Sequence, residues 1–152
     1  MALVRQAAGS TSSSSIAKAY RASIFEYQSK TYAVVTKNQT DQASGGFVVV
    51  DISDPTSPIK VIEKTDVQTG DNDNPASNWE LLNGSFDVAT AVVDSVPYAV
   101  ISQNLGSTNS PGGITIVKLT NNAGNIIANS PTVVRQIQDD DDRFGLDDSD
   151  PP

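Results

Sequence analysis

Residues 31–53, TYAVVTKNQTDQASGGFVVVDIS, return as residues 97–120, PYAVISQNLGSTNSPGGITIVKLT. Tyr32, Ala33, Val34 and Val35 correspond to Tyr98, Ala99, Val100 and Ile101, and Asn38 corresponds to Asn104. After a loop one residue longer in the second copy, Gly45-Gly46-Phe47 corresponds to Gly112-Gly113-Ile114. A repeat held across both motifs marks a chain built from like units, each burying its faces by stacking on a neighbour.

Each copy reads as the centre of four strands. In the first unit they are expected at Tyr20–Tyr27, Thr31–Lys37, Gly46–Ser53 and Ile59–Lys64. In the second they are expected at Phe86–Val93, Pro97–Gln103, Gly113–Thr120 and Thr132–Gln138. Ala17, Lys18 and Ala19 would suit a short helix over residues 16–22, but the counterpart of Ala22–Tyr27 is the β-branched run Val88–Val93, and strand is chosen for both. Gln28-Ser29-Lys30 and Asp94-Ser95-Val96 have the length of hairpin links. Asp54-Pro55-Thr56-Ser57-Pro58 sets a turn that no strand continues through, and Asn121–Asn125 is expected to make the same bend.

Alternation within the third strands places Val48, Val50 and Ile52 on one face and Phe47, Val49 and Asp51 on the other. Both faces are mostly apolar, in both copies, so burial on two sides is expected. The doubled glycines, Gly45-Gly46 and Gly112-Gly113, are expected to permit positive φ at the loop-to-strand entry.

The fold class that follows is all-β: two tandem four-stranded antiparallel blade-like units, as an incomplete propeller or a two-sheet sandwich. The organisation is a polar N-terminal arm at 1–15, a first unit at 16–78, a second at 79–138 and an acidic tail at 139–152. The tail's Phe144-Gly145-Leu146 echoes Trp79-Glu80-Leu81, as if a third unit began and stopped. Since the chain opens with Met, a shared assembly or a sandwich is expected over a fragment of a longer array.

Composition narrows the chemistry. The net charge is −8, of which the last fourteen residues contribute seven Asp and one Arg, leaving a nearly neutral body. No basic patch interleaved with aromatics is present, so nucleic acid is not an expected partner. No apolar run approaches the ~20 residues that span a bilayer, so no membrane insertion is expected. Residues 1–15 lack the apolar core of a secretory signal, so a native start at residue 1 implies no export on its own signal. The chain has no Cys and no His. Disulfides, Ser-His-Asp and Cys-His catalysis and His-rich zinc sites are therefore excluded.

The segment Gly46-Phe47-Val48-Val49-Val50-Asp51-Ile52-Ser53-Asp54-Pro55, with Tyr32–Val35 upstream, resembles the LVIVD-type β-propeller repeat. Related tandem repeats occur in bacterial and archaeal surface proteins. The resemblance implies one four-stranded blade per repeat, covering residues 20–66 well and 79–138 loosely. The second copy departs from it at Lys118, where the first has Asp51, and at Asn121-Asn122, where the first has Asp-Pro. The resemblance brings no catalytic residues. Two blades do not close a propeller, which takes four to eight; sheet faces and edge strands are left exposed, and exposed edges invite another chain.

One metal candidate stands out. Asp66, Asp71 and Asp73, in the Asn- and Asp-rich loop 66–74, have the oxygen-rich character of a calcium site, but the EF-hand spacing and its terminal Glu are missing. Asp139–Asp142 is a second, weaker cation candidate. Asn38-Gln39-Thr40 and Asn83-Gly84-Ser85 fit the N-glycosylation pattern, and Trp79 reads as a core anchor. The expected function is that of a non-enzymatic structural protein, a tandem β-repeat building block of a virion or cell-surface assembly. Its expected partners are copies of itself or neighbouring structural subunits, reached through one or both chain ends. No cofactor is expected, calcium being the single candidate, and a calcium-assisted surface adhesion module is the competing class.

Overall fold

The computed structural model describes residues 18–38, 45–65, 82, 84–103, 112–127 and 131–138. Eight strands form two sheets: β1 (Ala19–Tyr27), β2 (Lys30–Lys37), β3 (Gly46–Asp51) and β4 (Ile59–Thr65), then β5 (Ser85–Val93), β6 (Val96–Gln103), β7 (Gly113–Lys118) and β8 (Thr132–Gln138). Each sheet is an antiparallel meander in sequence order, and neither closes into a barrel. Among the described residues there is no α-helix, and residues 18–22 enter β1 rather than a helix. The third strands stop at Asp51 and Lys118, two residues short of the sequence expectation, although one further bond to the strand before them follows each end. Ile52 N–H donates to the Thr31 carbonyl (2.8 Å) and Leu119 N–H to that of Pro97 (3.0 Å).

The repeat is exact in its register. Phe25 pairs with Tyr32 as Ala91 pairs with Tyr98, and Tyr32 pairs with Asp51 as Tyr98 pairs with Lys118. Both sheets bulge at the same places, early in the first strand and between Val49/Val50 or Ile116/Val117. One hydroxyl position serves the first bulge in both: Arg21 N–H donates to Thr36 Oγ1 (3.2 Å), and Asp87 N–H to Ser102 Oγ (3.2 Å).

The hairpins are tight two-residue turns. Gln28 and Ser29 take φ of 49° and 61°, Asp94 and Ser95 take 49° and 62°, the doubly left-handed geometry whose twist matches that of the flanking strands. The longer bends are alike too. Asp54 Oδ1 accepts from Thr56 N–H (2.9 Å), and Asn121 Oδ1 accepts from Ala123 N–H (3.0 Å) and Asn125 N–H (2.9 Å). Each is a side chain closing a turn on its own backbone. Of the four doubled glycines only Gly46 has positive φ, +145°. A Cβ there would overlap the Lys64 carbonyl, so close pairing of β3 with β4 is what demands glycine. At Gly112 a Cβ would meet only an ordinary contact with the Gln103 carbonyl, at 3.6 Å, and the expectation of positive φ is corrected there.

The sheets share one core. Phe25, Tyr32, Val34, Phe47, Val49 and Ile62 from the first sheet meet Val88, Ala99, Ile101, Val117 and Leu119 from the second, with Leu82 and Ile126. Cross-strand partners lie on one side of a sheet, so these two lists are opposite faces of the repeat. Phe47 and Val49 face inward in the first unit, and their counterparts Ile114 and Ile116 face outward in the second. Like units therefore stack in one direction, as consecutive blades do, and not as a symmetric sandwich. The sheets approach most closely along β1, β2 and β5. There Ser23 Oγ and Thr90 Oγ1 share a hydrogen bond (2.7 Å), and the Tyr20 and Phe86 rings sit 4.7 Å apart, tilted by 41°. Beyond them Tyr27 O–H donates to the Gly124 carbonyl (2.9 Å).

Burial on both faces holds for β3, whose six residues are all buried. It fails for β7. Thr115 and Val117 are buried, whereas Ile114 is 40% exposed and Ile116 half-buried. The strand patterns are alike, but only the first sheet has the second stacked on its Phe47 side.

Candidate functional surface

Asp66, Asp71 and Asp73 lie outside the described residues, as do Trp79, the arm 1–15 and the tail 139–152. Among the described residues no group of three His, Cys, Asp or Glu is placed to hold a metal ion. Of the two glycosylation triplets, Ser85 is buried and its hydroxyl donates to the Leu82 carbonyl (2.7 Å). That hydroxyl is turned into the fold rather than offered to solvent.

Three of the described carboxylates are held by structural partners. Asp51 closes β3: Oδ2 accepts from Lys30 Nζ (2.8 Å) and Oδ1 from Ser53 N–H (3.0 Å). These bonds, that from Lys30 first, draw its pKa down to about 2 against the opposing effect of burial. Lys30 is raised in return, chiefly by the same hydrogen bond. Glu63 lies between Lys37 Nζ (3.1 Å) and Lys60 Nζ (2.6 Å). Burial pushes its pKa up, but the two lysine hydrogen bonds outweigh burial and the net shift is downward. Asp54 is lowered by the Thr56 hydroxyl. An acid–base catalyst needs a carboxyl poised near the working pH. These three are displaced the other way and stay ionised, pinning strands and turns.

What the structure adds is a surface. The outer face of the second sheet carries Ala89, Ala91 and Val93 on β5, Tyr98 and Val100 on β6, and Ile114 and Ile116 on β7. Val93 is 54% and Val100 36% exposed. Their counterparts in the first unit (Ser23, Phe25, Tyr27, Tyr32, Val34, Phe47 and Val49) form the inter-sheet contact. The second sheet thus presents to solvent the positions by which the first holds its neighbour. Large exposed apolar patches mark interaction sites more often than chance. Alternation showed that both faces of the strands are apolar; which face of which unit is left open depends on the direction of stacking, which no single strand encodes.

The β3–β4 half of the first unit is the part shared with known proteins. Residues 41–66 match the LVIVD repeat family. The LVIVD repeat here takes in β3, the Asp54 turn and β4, and Asp51, which ends its Val48-Val49-Val50-Asp51 run, is the residue that ties β3 to Lys30 and caps the turn. The second unit keeps the register of the LVIVD unit but puts Lys118 at the Asp51 position and Val96 at that of Lys30. The chain is a β-repeat module of two such sheets. No curated protein and no solved structure gives a significant match to it.

Proposed function

We propose that this protein is a non-enzymatic building block, a tandem β-repeat unit of a virion or cell-surface assembly, whose partners are copies of itself or neighbouring structural subunits. The observation that carries the reading is the outer face of the second sheet, where apolar side chains stand exposed at positions that are stacked and buried one unit earlier. Repeat units bury such faces by stacking on a neighbour, and this face keeps its apolar centre open, with Asp87, Ser102, Lys118 and Arg135 around it. The absence of His and Cys, and the ion pairs that hold Asp51 and Glu63, favour structure over catalysis.

Sedimentation velocity on the full chain across a hundredfold range of concentration tests the reading. Concentration-dependent species larger than 16.0 kDa are expected. A monomer throughout refutes it. Melting with calcium and with chelator separates the adhesion class. No shift is expected, and a rise of several degrees at saturating calcium would favour the metal-assisted alternative through Asp66, Asp71 and Asp73.

A further inference from the structure

We propose that the outer face of the second sheet binds the outer face of strand β1 in a second copy of the chain, head to tail, by the positions that join the two sheets within one chain. This rests on the assembly reading above and specifies its contact. The internal junction is the template. Within the chain, Thr90 of β5 reaches across to Ser23 of β1 (2.7 Å) and to the Ile24 carbonyl (3.3 Å). In the repeat Thr90 corresponds to Ile24, and Ser23 corresponds to Ala89. The next junction in the same series sets Ile24 of one copy on Ala89 of another.

Both halves of that junction stand open. Ile24 is 64% exposed, and Ala22 beside it is exposed; on the other side Ala89, Ala91 and Val93 are exposed. Strand β1 is also the right place on its sheet, since β1 and β5 make the closest approach in the internal junction. Val48 and Val50 of the same face are already buried, which confines the contact to the β1 side. Charge agrees. At the hairpin end of the first sheet's outer face stands exposed Glu26, and at the matching end of the second sheet's outer face stands Lys118.

A head-to-tail contact is heterologous. Copies add until a ring closes or a filament grows, and a ring of four to eight blades takes roughly two to four copies. An isologous pairing of the second sheet with itself would stop at a dimer.

The test uses two full-length variants, Ile24→Asp and Val100→Asp, each at an exposed site, with far-UV circular dichroism to confirm β content. In sedimentation each alone should associate at least tenfold more weakly than the parent. Mixed in equal amounts they should form a dimer and nothing larger, since one intact tail meets one intact head. Val100→Asp dissociating while Ile24→Asp assembles normally would show the second sheet pairing with itself and overturn the proposal. Both variants assembling like the parent would overturn it while leaving the assembly reading intact; a monomeric parent removes both. A second route does not depend on the charged variants folding. The chain has no Cys, so single variants Ile24→Cys and Ala89→Cys, mixed and oxidised, should give a cross-linked heterodimer well above the yield of either alone. Equal yields would count against the contact.

Discussion

Phe47 and Ile114 hold the same position in the two units, one fully buried and the other 40% exposed. Truncating each to alanine therefore asks the same question of two surroundings. Phe47→Ala empties a ring-sized volume between Val34, Val49 and Ile62 in the shared core. Loss of transfer energy plus the cavity left behind amounts to about 3–5 kcal/mol. Ile114→Ala removes three carbon groups worth about 0.8 kcal/mol each when buried, and discounting for the exposed two-fifths leaves about 1.4 kcal/mol. No closed cavity forms, because water reaches that face. A domain of this kind has about 5–15 kcal/mol in all, so the first change takes a large share and the second a small one. Urea unfolding at low micromolar concentration, followed by circular dichroism, measures both. Costs that agree within about 0.5 kcal/mol would refute the assignment of inner and outer faces. Repeating the Ile114→Ala measurement at rising concentration should enlarge its cost, as assembly draws on the folded state, with no such trend in the gap between Phe47→Ala and the parent.

Ser95→Gly should stabilise by about 0.5–1 kcal/mol, because Ser95 sits at φ 62° in the second hairpin, a region that strains a side chain and suits glycine. The melting temperature should rise by about 2–4 °C, and no rise would count against the turn geometry. Gly46→Ala should cost about 3 kcal/mol or more, since its Cβ would overlap the Lys64 carbonyl at φ +145°, whereas Gly112→Ala should change stability by less than about 0.5 kcal/mol. Equal effects of the two would refute the reading of the β3–β4 approach. Asp51→Asn probes the Lys30 pair. The folded pKa of Asp51, about 2, lies below the ordinary aspartate value of 3.8, so its contribution is present above pH 3.8 and is lost as pH falls toward 2. With Lys30 half in solvent the contribution is small; acid titration should show the gap between Asp51→Asn and the parent closing over that window, and a gap constant from pH 6 to pH 2 would assign the effect elsewhere.

The strands were legible because the sequence states them twice. Val88–Val93, the counterpart of Ala22–Tyr27, decides for strand where residues 16–22 would also suit a short helix, and the structure runs β1 from Ala19 to Tyr27. The turn at Asp54 and its Asn counterpart were legible because a short side chain that hydrogen-bonds its own backbone leaves a recognisable signature. The hairpin geometry was not: Gln28-Ser29 and Asp94-Ser95 lack the glycine that usually announces a left-handed turn. The glycine pairs misled in the other direction. Only Gly46 is required, by a carbonyl on a different strand, and contacts across a sheet do not show in a dipeptide. The open surface was half visible, since Ile114 and Ile116 read as apolar, but their exposure depends on a neighbour that stacks on only one side.

The two copies diverge where their surroundings diverge, and this bears on the proposal that the second sheet is the adhesive one. The side of the repeat that carries Lys37, Lys60 and Glu63 in the first sheet carries Gln103, Val133 and Gln136 in the second. In the first sheet that side faces outward, and its charges are ion-paired with Lys60 exposed. In the second it is the side of Val117, turned to the other sheet. Charges stripped of water by that stacking would cost several kcal/mol each; valine avoids the penalty, and neutral amides lower it, although Gln103 Oε1 and Gln136 Nε2 are buried without a hydrogen-bond partner. The opposite side does not show the reverse exchange. Where the first unit buries Phe47, Val49 and Ile62, the second exposes Ile114 and Arg135 and leaves Ile116 half-buried, with a single charge among the three. A sheet face adapted to water would carry polar residues there. The first sheet does so on its β4 side, and keeps Ile24 and Ala22 free on β1, the strand along which its inner face already meets a neighbour. The first sheet's outer face is charged along β4 and open and apolar on β1, the second's is mainly apolar with Asp87, Ser102, Lys118 and Arg135 around it, and the proposed contact runs from β5 of one copy to β1 of the next.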